Sequence, residues 1–193
     1  PTPPTVSDDN ISISGASGNG GTYIIGDTVT ATWNNTAGGD NNSGISGVTV
    51  DFSAFGGGAA VAATQASGTW TASYTLPAGA LEATGRNVSV TATNATGPTT
   101  TADTTNATVD NRAPTLASTL PADNASGIGV GSNLSMNFSE VVNAGTGNMV
   151  LRRSTDNSVV QSFNITTDVT GSGTTVITAN PASDLANNTG YYV

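Results

Sequence analysis

The sequence predicts an all-β chain built as two consecutive antiparallel β-sandwiches. Three observations carry this. Apolar residues recur at every second position with Thr or Ser between them, the mark of a half-buried strand. Glycine is abundant, at 24 residues, and clusters between the alternating stretches, where turns need it. No stretch shows a sustained helical period; Ala78–Ala83 alone could form one helical turn.

Taken in order, Ile11 and Ile13 define a first strand. In Asp27–Trp33 the inward set is Val29, Ala31 and Trp33, with Thr28, Thr30 and Thr32 outward. Val48, Val50 and Phe52 form a third strand, and Ala59–Ala63 a weak fourth. Trp70, Ala72, Tyr74 and Leu76 share an inward face, as do Val88, Val90 and Ala92. Ala107 and Val109 close the set. Seven strands in about a hundred residues is the size of an Ig-like sandwich. The stretches 15–26, 34–44, 56–58, 77–85 and 94–101 read as turns. The Pro-rich start, 1–7, reads as an extended linker. The first domain is therefore expected at 8–111, a short linker at 112–114 and a second domain at 115–193.

The second domain alternates at Leu134, Met136 and Phe138. Further strands are expected near Leu116–Leu120, Asn148–Arg153, Val159–Ile165, Thr174–Thr178 and Tyr191–Val193. That count falls short of a complete Ig-like sandwich. The expectation is that its last strand is missing, through truncation or because a neighbouring chain donates it.

Composition excludes much chemistry. With no Cys, His or Lys, the chain has no thiolate nucleophile, disulfide, imidazole metal site, Ser-His-Asp triad, Schiff base or P-loop. Thirteen acidic residues against four arginines give a net charge of −9. Such a surface repels nucleic acid and anionic membranes and attracts hard cations. No apolar run approaches the ~20 residues of a membrane span. A glycosidase pair is not expected, because Glu82 and Glu140 fall in different domains and no aromatic cleft is evident.

Counting strands up and down sorts the acids by pole. Asp27, Glu82 and Asp110 fall at the end of the first domain that leads to the second. Asp8, Asp9, Asp40 and Asp103 gather at the other end. Glu140 and Asp168 are expected on the side of the second domain facing the first. A calcium site is the resulting candidate, with Glu82, Asp110, Asn111 and Glu140 as oxygen donors. The alternative is that these are solvated turn residues. Asp40-Asn41-Asn42-Ser43-Gly44 resembles part of an oxygen-donor loop but lacks EF-hand spacing. With Asp8 and Asp9 it is a weaker second candidate. Arg112 is expected to pair with Asp110 or Glu82 where no calcium is bound.

Two stretches resemble bacterial Ig-like modules found in tandem in very large surface proteins. The first runs from Ile11-Ser-Ile-Ser-Gly through Gly26-Asp-Thr-Val-Thr-Ala-Thr-Trp33 and Gly47-Val-Thr-Val-Asp-Phe-Ser53 to Ala107-Thr-Val-Asp-Asn-Arg-Ala-Pro-Thr115. The second runs from Leu120-Pro-Ala-Asp-Asn-Ala-Ser-Gly-Ile128 through Leu134-Ser-Met-Asn-Phe-Ser-Glu140 to Tyr191-Tyr192-Val193, and resembles the S-layer-type Ig-like family. The resemblance implies a non-catalytic structural or adhesion role outside a bacterial cell, in an adhesin or S-layer array, with calcium at module junctions. The partners it implies are neighbouring modules of the same or an adjacent chain, or cell-surface carbohydrate or protein. The alternatives are a carbohydrate- or protein-binding module using loops at one pole, and a self-assembling fibre subunit completed by donor-strand exchange.

Overall fold

The computed structural model describes residues 2–193 and divides into two compact units, Pro1–Ala113 and Pro114–Val193. Each is described by itself.

The first domain contains β1 (Ile11–Ser14), β2 (Thr22–Ile24), β3 (Thr28–Asn34), β4 (Gly47–Asp51), β5 (Val61–Ala62), β6 (Thr64–Ala66), β7 (Thr69–Thr75), β8 (Glu82–Arg86), β9 (Ser89–Asn94), β10 (Gly97–Ala102) and β11 (Ala107–Asp110). One sheet runs β1-β3-β7-β6. The ladders opposite run β10-β9-β4-β5 and β2-β11-β8. Only Asn87 and Val88 separate β8 from β9, and residues 103–106 separate β10 from β11. The two ladders are thus successive halves of one long hairpin, interrupted in its middle. Asn87 bridges that interruption: its Oδ1 accepts the Asn106 amide and its Nδ2 donates to Asn106 Oδ1.

The alternation read from the sequence supplies the core. Val29, Ala31 and Trp33 of β3 meet Val48, Val50, Phe52, Val88, Val90 and Ala92, all buried. Threonine and serine face outward and pair across strands, Ser12 with Thr32 at 2.7 Å and Thr28 with Thr75 at 3.0 Å. Such cross-strand hydroxyl pairs add a few tenths of a kcal/mol each, up to about 1. Trp33 and Trp70 stand opposite each other in register, Trp33 buried and Trp70 packed against the core.

Four expectations change. β2 lies inside the stretch read as a turn at 15–26, because Tyr23 alone is buried there and no alternation shows. It pairs in parallel with β11, Tyr23 opposite Val109. β8 replaces the helical turn considered at Ala78–Ala83: Gly79 bridges Arg112 and the chain is extended from Glu82. Its sequence, Glu-Ala-Thr-Gly-Arg, is poor in β-formers, so its ladder with β11 makes it a strand. β10 carries Pro98 and lies at the edge of its ladder, where a missing N–H is tolerated. Residues 2–7 are not a free linker, since Pro4 and Val6 are buried on the first domain.

The second domain contains β12 (Leu116–Leu120), β13 (Leu134–Val142), β14 (Asn148–Arg153), β15 (Val159–Asn164), β16 (Val169–Thr170), β17 (Thr174–Ala179) and β18 (Tyr191–Tyr192). Its sheets run β12-β13-β17-β16 and β15-β14-β18. Met149, Leu151, Phe163 and Ala179 form its buried cluster, with Leu134, Met136 and Tyr191 against it. This core is smaller than that of the first domain. β18 pairs with β14 alone, Arg152 opposite Tyr192 and Arg153 opposite Tyr191.

Candidate functional site

The first domain carries two polar clusters. One forms where β11 ends. Asp110 stands opposite Glu82 on β8 and Ile24 on β2. Arg112 reaches back to Glu82, Nη1 to Oε2 3.3 Å, with both side chains more than half exposed. An exposed pair of this kind contributes about 0–1 kcal/mol. The Arg112 amide donates to Asp110 Oδ1 at 3.2 Å.

Asn111 behaves differently from its acidic neighbours. It is buried, and its Oδ1 accepts the Leu81 amide at 2.8 Å. Its backbone N–H donates to Leu81 O, and its carbonyl accepts from Gly79. Gly79 lies so close that an added Cβ would meet the Asn111 amide at 2.8 Å. Asn111 therefore pins the 79–81 segment to the end of β11, and its amide oxygen is engaged inside the fold.

Nearby, Asp27 is buried and accepts three hydrogen bonds, from Ser17 N–H, Ser17 Oγ and Ile24 N–H, at 2.9, 2.5 and 2.9 Å. Burial alone would raise its carboxyl pKa. The Ser17 hydroxyl, then the Ile24 and Ser17 amides, outweigh that and hold it below the ordinary carboxylate range. Tyr23, packed edge-on against Phe55, is pushed up by burial and then by the charges of Asp27 and Asp103.

The second cluster surrounds Asp40. Its Oδ2 accepts the Trp33 indole N–H at 2.6 Å and the Ser7 amide at 2.9 Å, and its Oδ1 accepts Asn10 Nδ2 at 2.8 Å. Burial opposes ionisation, but these donors prevail and the carboxyl lies below its ordinary range. Asp8 accepts Thr104 through both amide and hydroxyl, at 3.0 and 2.6 Å. Asp9 is exposed in the 3-10 turn that precedes β1. Asp103 is buried between β10 and β11, where Thr105 N–H and Oγ1 donate to its Oδ1. Within the run at 40–44, read as a fragment of a cation loop, Asp40 and Asn42 thus use their oxygens on the protein itself. Their partners Thr5 and Ser7 lie 37 and 33 residues away, so no local motif signals the role, although Trp33 is seven residues from Asp40.

In the second domain Glu140 lies on β13, half-buried, with one carboxylate oxygen enclosed. Asp168 accepts Asn164 N–H and Thr167 Oγ1, which lower its pKa in that order. Arg152 donates to the Asn157 carbonyl and Arg153 lies 3.7 Å from Asp156. The Tyr192 hydroxyl donates to Asn157 Oδ1, and Tyr191 Oη accepts the Ala186 amide.

Among the described residues no three acidic side chains within either domain converge closely enough to hold a metal ion. The described residues form shallow grooves. One, of about 290 Å³, is lined by Tyr23, Thr105 and Asn106; another, of about 530 Å³, by Arg153, Gln161, Asp184 and Tyr191. Neither carries the pair of carboxylates that glycoside hydrolysis uses. No helix among the described residues is long and apolar enough to cross a membrane.

Fold and site together define an Ig-like β-sandwich chain whose polar clusters hold the domain together. Residues 110–193 match the sequence profile of the bacterial Ig-like domain family. The match begins at Asp110, in the last strand of the first domain, four residues before the division at Pro114. Domains of that family are typically modules of bacterial surface proteins. Comparison with curated proteins and with solved structures gives no match.

Proposed function

We propose that this chain is a non-catalytic spacer within an extracellular bacterial surface protein of the adhesin or S-layer type. The family match over 110–193 carries this reading. Two features support it. The outer sheet faces of the first domain are tiled with hydroxyls that bond one another, a surface suited to solvation. The clustered acids of the first domain mostly bond the protein's own donors, as a scaffold requires.

Calcium is the cofactor that this reading carries, on charge and donor type, with Glu82 and Asp110 of the first domain as its acidic donors. Neighbouring modules of the same or an adjacent chain are the proposed partners. Antibodies raised against the 193-residue chain test the location. They should label intact cells of the source bacterium. Labelling only after lysis would overturn the surface-protein reading.

A further inference from the structure

Residues 2–10 reach the first domain without belonging to either sheet. Pro3 and Pro4 have no N–H to offer a ladder, and residues 2–7 form no strand. Side chains order this segment instead. Asn42 grips Thr5 from both sides, its Oδ1 accepting the Thr5 amide and its Nδ2 donating to the Thr5 carbonyl, each at 2.7 Å. Asp40 accepts the Ser7 amide and the Asn10 side chain. The Thr101 hydroxyl donates to Val6 O at 2.6 Å, and Asn94 Nδ2 donates to Thr2 O at 2.9 Å. Between these anchors Val6 inserts into the core.

The gripping loop is itself braced. Asn35 Oδ1 accepts both the Asn42 amide and its Nδ2, while Asn35 Nδ2 donates to Asn42 O. Trp33 fixes Asp40 from inside the sandwich. The anchors form a continuous chain from the core, through Trp33 and Asp40, to the N-terminal segment.

We propose that residues 2–10 are a strap that closes as a unit separate from the sandwich. Asp40 and Asn42 act as its clasp, and the closed strap sets the direction in which the chain approaches the first domain. No hydrogen bond between sheet strands has to break for it to open, which makes it a sub-global unit. The strap does not depend on the surface-protein reading, because it concerns one domain's own chain.

The absence of cysteine allows a direct test in the full chain. Spin labels at Thr2→Cys and Ser73→Cys report the distance from the strap to β7. With Asp40 and Asn42 intact the distance distribution should be single and narrow. Adding Asp40→Asn, or separately Asn42→Ala, should broaden it severalfold. In unlabelled protein, amide exchange at Thr5 and Ser7 should accelerate at least tenfold in Asn42→Ala, with Val29 and Val90 unchanged; in Asp40→Asn, which also loses the charged acceptor of Trp33, Thr5 and Ser7 should accelerate more than Val29 and Val90. A broad distribution with the clasp intact would overturn the strap. Equal acceleration of Val29 and Val90 in Asn42→Ala would overturn its independence from the sandwich.

Discussion

Trp33 and Asp40 meet at 2.6 Å, an indole N–H on a carboxylate oxygen, where the core strand β3 passes into its following loop. A buried indole N–H needs an acceptor, and this one finds a charged acceptor seven residues on. The same oxygen takes the Ser7 amide, so one carboxylate ties core, loop and N-terminal segment together.

Replacing Trp33 by Phe keeps an aromatic ring but removes the N–H. The substitution leaves Asp40 a donor short and opens a void in the core. A loss of roughly 2–4 kcal/mol is expected from the two effects combined. Urea unfolding followed by far-UV circular dichroism measures it. A change under about 0.5 kcal/mol would mean that the contact contributes nothing.

Acid should weaken the first domain in a defined window. Asp27 and Asp40 both titrate below the ordinary carboxylate range in the folded state. Their contribution is complete above the unfolded carboxylate pKa of about 4 and is lost as pH falls through the lower folded values. Unfolding midpoints should be flat from about pH 7 to pH 5 and should drop below about pH 4. In Asp40→Asn the drop should be shallower. An equally steep drop in that variant would remove Asp40 as a contributor.

Gly15 holds φ at +112°, and an added Cβ would lie 2.0 Å from the Thr28 carbonyl oxygen. Gly15→Ala therefore combines backbone strain with a clash against the sheet. Destabilisation of about 1–3 kcal/mol is expected, read as a lower thermal midpoint. Gly20→Ala, at φ +66° with open space around it, should cost less. The reverse order would refute the steric argument.

Phe163 is the largest fully buried side chain of the second domain. Phe163→Ala should cost about 3–5 kcal/mol, enough to unfold a domain with so small a core. Trp33 and Trp70 both lie in the first domain, so tryptophan fluorescence should keep its native signal while circular dichroism loses part of its β content. Loss of both signals together would show that the domains unfold as one.

Calcium is tested by melting. Binding to the folded state alone raises the midpoint by mass action. Curves in millimolar calcium and in chelator should differ by several degrees, and Glu82→Gln should shrink the difference. Superimposable curves would remove calcium from the proposal.

Alternation made most of the strands legible. Val29, Ala31 and Trp33 show their inward face in sequence because a two-residue period survives whatever the strand pairs with. β8 and β10 were not legible, since Glu82–Arg86 has Thr84 as its one β-former and Pro98 argues against a strand. Their conformation is imposed by neighbours: β11 holds β8, and β9 holds β10 in six-residue register. Counting strand directions sets Glu82 near Asp110 and Asp8 near the loop at 40, and in the structure Glu82 pairs opposite Asp110 while Ser7, beside Asp8, donates to Asp40. What each acid does was not legible, because Asn111, Asp27 and Asp40 take their roles from particular donors at fixed distances.

The sequence alone determined that this chain is all-β, acidic and without thiol, imidazole or amine chemistry, because composition and a two-residue period are local properties. Tertiary structure decided the rest. It turned a Pro-rich start into a strap, a polar loop into its clasp and a candidate ligand, Asn111, into a buried pin. The physical reason is that a polar side chain's role depends on which donor or acceptor lies within about 3 Å. For Asp40 and Asn42 those partners lie 30 to 37 residues away along the chain, except for Trp33 and Asn35 close by.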